Sequence, residues 1–598
     1  MKLKRTFISI VALMLAVCLM PTALAATWYL EDGDITVIAN ENGQSVKQGS
    51  NSAVADSDTV ITQRDSEKAT DNTITVSTTD DTTANITIED VNINSYGDAI
   101  DVGSSGANIT LEGDNKLNSE YGSGLHVSDG DVTITGSGSL EAGSKNDSNN
   151  NAAIGSHENE AMSGDITIGG DAQVTAVSRD DGAGIGSGDM GEMSGDITIG
   201  DNAQVTAWSE TGGAGIGSGR ESNMSGNITI GGSAQVTAGS NSETAGIGSG
   251  NNGVFTSTGR VVIRDSAKVT AIGENEGAGI GTGEDELMAG MIIIQDNAQV
   301  TAIAGDRAAA IGSDNLDEMT GTIIIIGNAR VTTGILDDDD VYFDYNTKEI
   351  KYTLDENATG YIGDSKYSNH ESDEGHYIIG PDVTINGISG SDIEALKDYI
   401  NMRLSGENHD GEPENLTKLD VRSENGEFTV TAEGEGAVEK ILYGGSENVP
   451  TAPGTYPVTC VVRIGEETIE FQIDTYVVPE PAPQPEPMAH HTRIQLYRVA
   501  DKQGRSIAYK AVQKGGVLTI TTDEKEAQLI IEHGGLFALS RQGITKIVFV
   551  TASKKSAISV GAAMEKGSGE FVLLHSYRKV KLTVAGAAVD ADGILIKE

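Results

Sequence analysis

Apolar and polar residues alternate in short bursts along most of this chain, seldom for more than a handful of positions at a time. In ITIG the isoleucines fall on one side and the threonine on the other; in QVTA valine and alanine oppose glutamine and threonine. Bursts this short, bounded by Gly, Asn, Asp and Ser, predict strands and turns rather than helices. They also recur. Ile154, Ile185, Ile216, Ile247, Ile280 and Ile311 sit in a Gly-Ile-Gly phrase or its variants, and Val174, Val205, Val236, Val269, Val300 and Val331 in an AQVTA phrase. Ile166, Ile197, Ile228, Val261, Ile292 and Ile323 open the ITI phrase, with a period of 31 residues that lengthens once to 33. Upstream, Ile86, Ile109 and Val132 open the same phrase every 23 residues.

A fixed period carrying three strand-like phrases marks a repeat architecture. One unit cannot bury its apolar side alone, whereas units stacked at about 4.8 Å build a continuous core. The prediction is an all-β fold, a parallel β-helix (solenoid), assumed right-handed, of about ten turns over residues 26–340, with shorter turns over 80–150 and 31-residue turns over 150–335.

The stretch GAGIGSG at Gly182–Gly188 invites a nucleotide-binding reading, but the dinucleotide fingerprint needs a glycine at its sixth position, where Ser187 or Asp189 stands. The glycines are therefore assigned to corners, which need positive φ or close backbone approach, and Ile185 to the core.

GAGIGSG followed by MSGDITIG and AQVTA resembles the glycine-rich β-helix repeats of secreted or surface proteins from Gram-positive anaerobes. The shorter units, such as ANITIEDVNINSYGDAIDVGSSGANITLEG, are similar to clostridial β-helix modules called carbohydrate-binding domains. The resemblance covers roughly residues 80–335 and implies an extracellular, non-catalytic role in binding polysaccharide or cell-wall glycan, with calcium as a candidate ion.

Four features are candidates for that role. The outward column Thr175, Thr206, Thr237, Thr270 and Thr301, continued by Thr332, forms a hydroxyl ladder beside Gln173, Gln204 and Gln235. Trp208, two residues beyond Thr206, is predicted on the same outward face, either as an indole able to stack on a sugar ring or as part of a patch covered by a bend or a neighbouring chain. Met162, Met193, Met224, Phe255, Met288 and Met319 form a column expected to pack the enlarged bend. Carboxylates crowd the bends, among them Glu158, Glu160, Asp189 and Glu192, and Asp337, Asp338, Asp339 and Asp340 follow the last full unit as candidate calcium ligands. A purely structural stalk or a protein-binding adhesin is the alternative function. A polysaccharide lyase or hydrolase is disfavoured because no carboxylate pair recurs in a strand column at adjacent turns.

Charge and termini narrow the picture. The chain of 598 residues carries a formal net charge of −49, which argues against nucleic acid. Residues 1–25 have a basic start, an apolar core and a small-residue site at Ala23–Ala25, the pattern of a secretory signal peptide cleaved near Ala25. Val17 is too bulky for lipidation at Cys18, and the mature chain then keeps only Cys460, so it forms no internal disulfide. No later apolar run is long enough to span a membrane.

Beyond 340 the period is lost. Residues 341–416 are predicted to close the end of the solenoid, with one helix over 391–404 capped by Ser391 and Glu394. ILYGGSENVPTAPGTYPVTCVV, within 417–478, resembles small immunoglobulin-like modules of bacterial surface proteins, through Tyr443, Pro450, Gly454, Thr455 and Tyr456. A Pro-rich linker at 479–487 leads to a β-rich domain over 488–598 that is basic, with 16 Lys and Arg against 10 Asp and Glu.

Overall fold

The computed structural model describes residues 26–79, 82–146, 148–284, 287–313, 319–356, 358–363, 375–400, 415–424, 427–465, 467–478, 496–531, 535–564, 566, 570–576, 579–585, 587–589 and 594–596. Residues 1–25, expected to be a signal peptide, and the Pro-rich stretch 479–487 lie outside these residues. The chain divides into two units, residues 1–480 and 481–598.

The first unit is all-β, and each repeat phrase generates one long sheet. The ITI phrases form a 14-stranded sheet, the QVTA phrases a 12-stranded sheet and the Gly-Ile-Gly phrases a 13-stranded sheet, parallel throughout their repeat-built parts. Identical residues stack in register: Ile185 pairs with Ile216, Thr198 with Thr229, and Val205 with Val236. Successive strands of one turn enter successive sheets, so the chain coils and the apolar side of every phrase faces the interior. Ile185, Ile197, Ile216 and Ile228 are fully buried there. The column from Met162 to Met319 runs through the same core as a ladder of single bridges, all fully buried.

The glycine after each buried isoleucine makes the corner. Gly186 has φ +143°, and a Cβ on it would lie 1.7 Å from the carbonyl oxygen of Gly217 in the next turn. No other residue fits both the conformation and the space.

The coil does not end at 340, as the loss of period implied. Ile362–Gly363, His376–Ile379 and Thr384–Ile385 add a further strand to each sheet. The intervening residues are an insertion. Arg330–Asp344 leaves the QVTA sheet and pairs antiparallel with Glu349–Leu354, forming a hairpin that folds back over the outer face of that sheet rather than closing its end. The end is covered instead by residues that follow the added turn: Ile393, Leu396 and Ile400 are buried on the core, and Ile400 bridges Ile362.

The predicted helix is correspondingly short. Only Ile393–Leu396 is helical, and its cap is Asp392, whose carboxylate accepts from the Ala395 N–H at 3.3 Å; residues 401–404 lie outside the described ones. At the other end, Ile35–Asn40 and Gly43–Gln48 form an antiparallel hairpin that, with Val54–Ala55, covers the edge of the Gly-Ile-Gly sheet.

Residues 417–478 are joined to the solenoid rather than set apart from it. Leu416–Glu424 pairs parallel with His376–Ile379 and then antiparallel with Glu427–Gly434, so the ITI sheet simply continues. Three antiparallel strands, Gly436–Tyr443, Gly454–Ile464 and Glu467–Val478, form a second sheet. Val458, Cys460, Val462 and Phe471 pack on Ile293, Ile324, Ile378 and Leu419. The physical reason is visible in the outward ITI column: Thr167, Thr198 and Thr229 give way to Val262, Ile293, Ile324 and Ile378, an apolar stripe that needs a cover.

The second unit contains two five-stranded sheets sharing one core, with short helices at Gly535–Arg541 and Val560–Met564. No helix among the described residues is long and apolar enough to cross a membrane.

Candidate functional site

The outer face of the QVTA sheet carries three columns. Gln173, Gln204, Gln235, Lys268, Gln299 and Arg330 are in register and exposed; Thr175, Thr206, Thr237, Thr270, Thr301 and Thr332 are in register beside them. The first five threonines are half-buried and Thr332 is exposed. A depression of about 330 Å³ is lined by Gln235, Thr237, Lys268, Thr270, Gln299 and Thr301. In the other direction the threonine column continues through Glu141, Lys116 and Asn92 into a second polar depression of about 390 Å³.

The third column, Val177, Trp208, Gly239, Ile272 and Ile303, is not exposed, because the hairpin lies on it. Leu336, Val341, Phe343 and Ile350 cover this stripe, and Gly239 leaves the space that the Trp208 ring and Ile350 occupy. Trp208 is fully buried, and its Nε1 has no hydrogen-bond partner. Of the two readings of Trp208 the covered patch is the one found, not the exposed sugar platform: a β-branched and aromatic stripe on an outer face had to be covered, and the chain supplies the cover itself.

The hairpin is fastened at its tip. Tyr345 donates to Glu210, Arg179 stacks over the Tyr345 ring at 4.5 Å, and Lys348 pairs with Glu141. Asp337 is exposed in the first hairpin strand, where the pairing register shifts before Val341; the side chains of Asp338, Asp339 and Asp340 lie outside the description.

A second cluster, of which the sequence analysis named only Glu160, lies where the short turns meet the long ones on the Gly-Ile-Gly side. Asp101 and His126 are in register on adjacent strands, and Gly155 follows His126 in the next turn. Asp98 precedes the first of these strands, while His157 and Glu160 follow the third. The two imidazoles stack with centroids 3.8 Å apart and planes within 3°. On one edge of the stack, His126 Nδ1 lies 2.9 Å from Asp101 Oδ1 and 3.9 Å from Asp98 Oδ2, and His157 Nε2 lies 2.7 Å from Asp98 Oδ1. On the opposite edge, Glu160 Oε2 is 2.8 Å from His126 Nε2 and 3.6 Å from His157 Nδ1.

Burial opposes charge on His126, but Asp101, Asp98 and Glu160 outweigh it and hold the imidazole up at about 9. Asp98 is raised by burial yet ends below the usual carboxylate range, because His157 and the Ser123 N–H at 2.7 Å favour its anion. Asp98, His126 and His157 are, among the described residues, the one group of three such side chains whose donor atoms approach closely enough to share an ion.

One of the other bend carboxylates makes a structural pair. Asp189 is fully buried, 3.4 Å from Arg220 Nε, which also binds Asp181 at 2.9 Å; burial pushes Asp189 up to about 6. Cys460 is buried among apolar strand residues, and burial pushes its thiol up to about 12, as suits a packing role.

Comparison of the chain with family models, curated proteins and solved structures returns no match in any of the three.

Proposed function

We propose that this is an exported, non-catalytic surface protein whose repeat region is a right-handed β-helix that binds a polysaccharide along the outer face of its QVTA sheet. The observation that carries the reading is the in-register column from Thr175 to Thr332 beside Gln173, Gln204, Gln235 and Gln299. Hydroxyls and amides repeated at about the 4.8 Å strand spacing offer donors and acceptors to a ligand that is itself periodic. Between these residues the two columns hold no carboxylate, and their only charges are Lys268 and Arg330, so the face is equipped to hydrogen-bond rather than to transfer protons. The depression spanning Gln235 to Thr301 is the place where a sugar chain would seat. The hairpin fixes where such a face can lie, because it already occupies the neighbouring apolar column.

The signal-peptide pattern at 1–25 supports export, and the resemblance of the repeats to clostridial carbohydrate-binding modules points to the same ligand class. Calcium remains part of the proposal through the acidic bends, with Asp337 the described member of its run. The test is retention of the mature chain on a panel of insoluble polysaccharides (cellulose, xylan, chitin, peptidoglycan), with and without calcium. Retention by at least one, lost in Thr237→Lys/Thr301→Lys, supports the reading. No retention on any moves the assignment to a stalk or protein-binding adhesin.

A further inference from the structure

We propose that Asp98, Asp101, His126 and His157 form a binding site for a divalent transition-metal cation of the zinc type, with Glu160 as its positioning residue. The site is separate from the QVTA face and stands independently of the polysaccharide reading. Asp98, His126 and His157 come from three successive turns and bring one donor atom each within 4.8 Å of the others on one edge of the imidazole stack, where Asp101 adds a carboxylate 2.9 Å from His126 Nδ1. Two imidazoles with carboxylates suit zinc and its neighbours, whereas calcium takes oxygen ligands.

The opposite edge carries the arrangement a ligating histidine needs. Glu160 accepts from His126 Nε2 and lies within 3.6 Å of His157 Nδ1, so His126 Nδ1 and His157 Nε2, on the edge lined by Asp98 and Asp101, are the nitrogens that would ligate once their protons leave. Asp98 is itself oriented by the Ser123 N–H. His126 is buried, while Asp101 and His157 remain partly accessible, so a cation has an entry side. Without metal, protons join these nitrogens to the carboxylates; a cation on that edge takes their place and releases them.

The experiment uses the full mature chain, stripped with chelator and dialysed against zinc, with metal content and thermal unfolding read together. About one equivalent of zinc and a raised unfolding midpoint are expected, both lost in His126→Ala/His157→Ala and both kept in His490→Ala/His491→Ala. Glu160→Gln, which leaves every proposed ligand in place, is expected to weaken zinc binding by about 10- to 100-fold. Zinc content unchanged in His126→Ala/His157→Ala, or affinity unchanged in Glu160→Gln, overturns the proposal, as does failure of the unmodified chain to hold zinc at micromolar concentration. Should the double variant not fold, the Glu160→Gln comparison decides alone.

Discussion

Gly155, Gly186, Gly217, Gly248, Gly281 and Gly312 each follow a buried isoleucine with φ between +136° and +147°. A Cβ at Gly217 would stand 1.8 Å from the Gly248 carbonyl oxygen, so both backbone strain and a clash oppose any side chain there. Gly217→Ala is expected to destabilise the repeat region by more than about 3 kcal/mol in denaturant titration. A loss below about 1 kcal/mol would mean the corner can relax. His575 offers a second test at this scale. It is fully buried between the Thr551 and Ser556 hydroxyls, at 3.2 and 2.9 Å, and burial, aided by Lys554, brings it down to about 4. The unfolded chain takes up this proton near pH 6.5 and the folded one only near 4. Stability of the second unit therefore falls as pH drops through that window, by about 3 kcal/mol at most. Denaturant midpoints at pH 7 and pH 4.5 should show this loss, and His575→Gln should reduce it.

At the scale of the element, the hairpin Arg330–Asp344 with Glu349–Leu354 decides what the QVTA face can do. Trp208→Ala should cost about 3–5 kcal/mol by leaving a cavity under it. Ile350→Asp should expose the indole and shift its fluorescence to longer wavelength; an unshifted spectrum would place the hairpin elsewhere. The strands and corners of the repeat were legible because period-two alternation and glycine spacing are local signals. The hairpin's position was not, since YFDYNTKEIKYTL must cover apolar surface whether it lies on an end or on a face. The deciding clue was non-local: Val177, Trp208, Ile272 and Ile303 stand two residues beyond Thr175, Thr206, Thr270 and Thr301, an outward stripe too apolar for water. In the same way the outward run Val262, Ile293, Ile324 and Ile378 was the signal for a second layer over the ITI sheet that the sequence analysis did not draw on. The histidine cluster was hidden for another reason. Asp98, His126 and His157 are far apart in sequence, and only aligning the Gly-Ile-Gly columns across the short and long turns sets them side by side.

Across the whole repeat region, stability comes from contacts between adjacent turns, so local changes spread through their neighbours. The stacked isoleucines bury a continuous core with no disulfide among the described residues; the hairpin at 35–48 extends the Gly-Ile-Gly sheet at one end, and Ile393, Leu396 and Ile400 pack on the core at the other. Such a frame holds many identical side chains at a constant interval, which no single-site fold does. A ligand that uses this property must touch several turns at once, and its affinity must depend on its length. The decisive measurement is therefore calorimetric titration of the mature chain with an oligosaccharide series cut from whichever polysaccharide retains it. The account predicts affinity that climbs with chain length until the oligosaccharide spans the column from Thr206 to Thr301, and that collapses in Thr237→Lys/Thr301→Lys. Affinity independent of length, or undiminished in that variant, would contradict it.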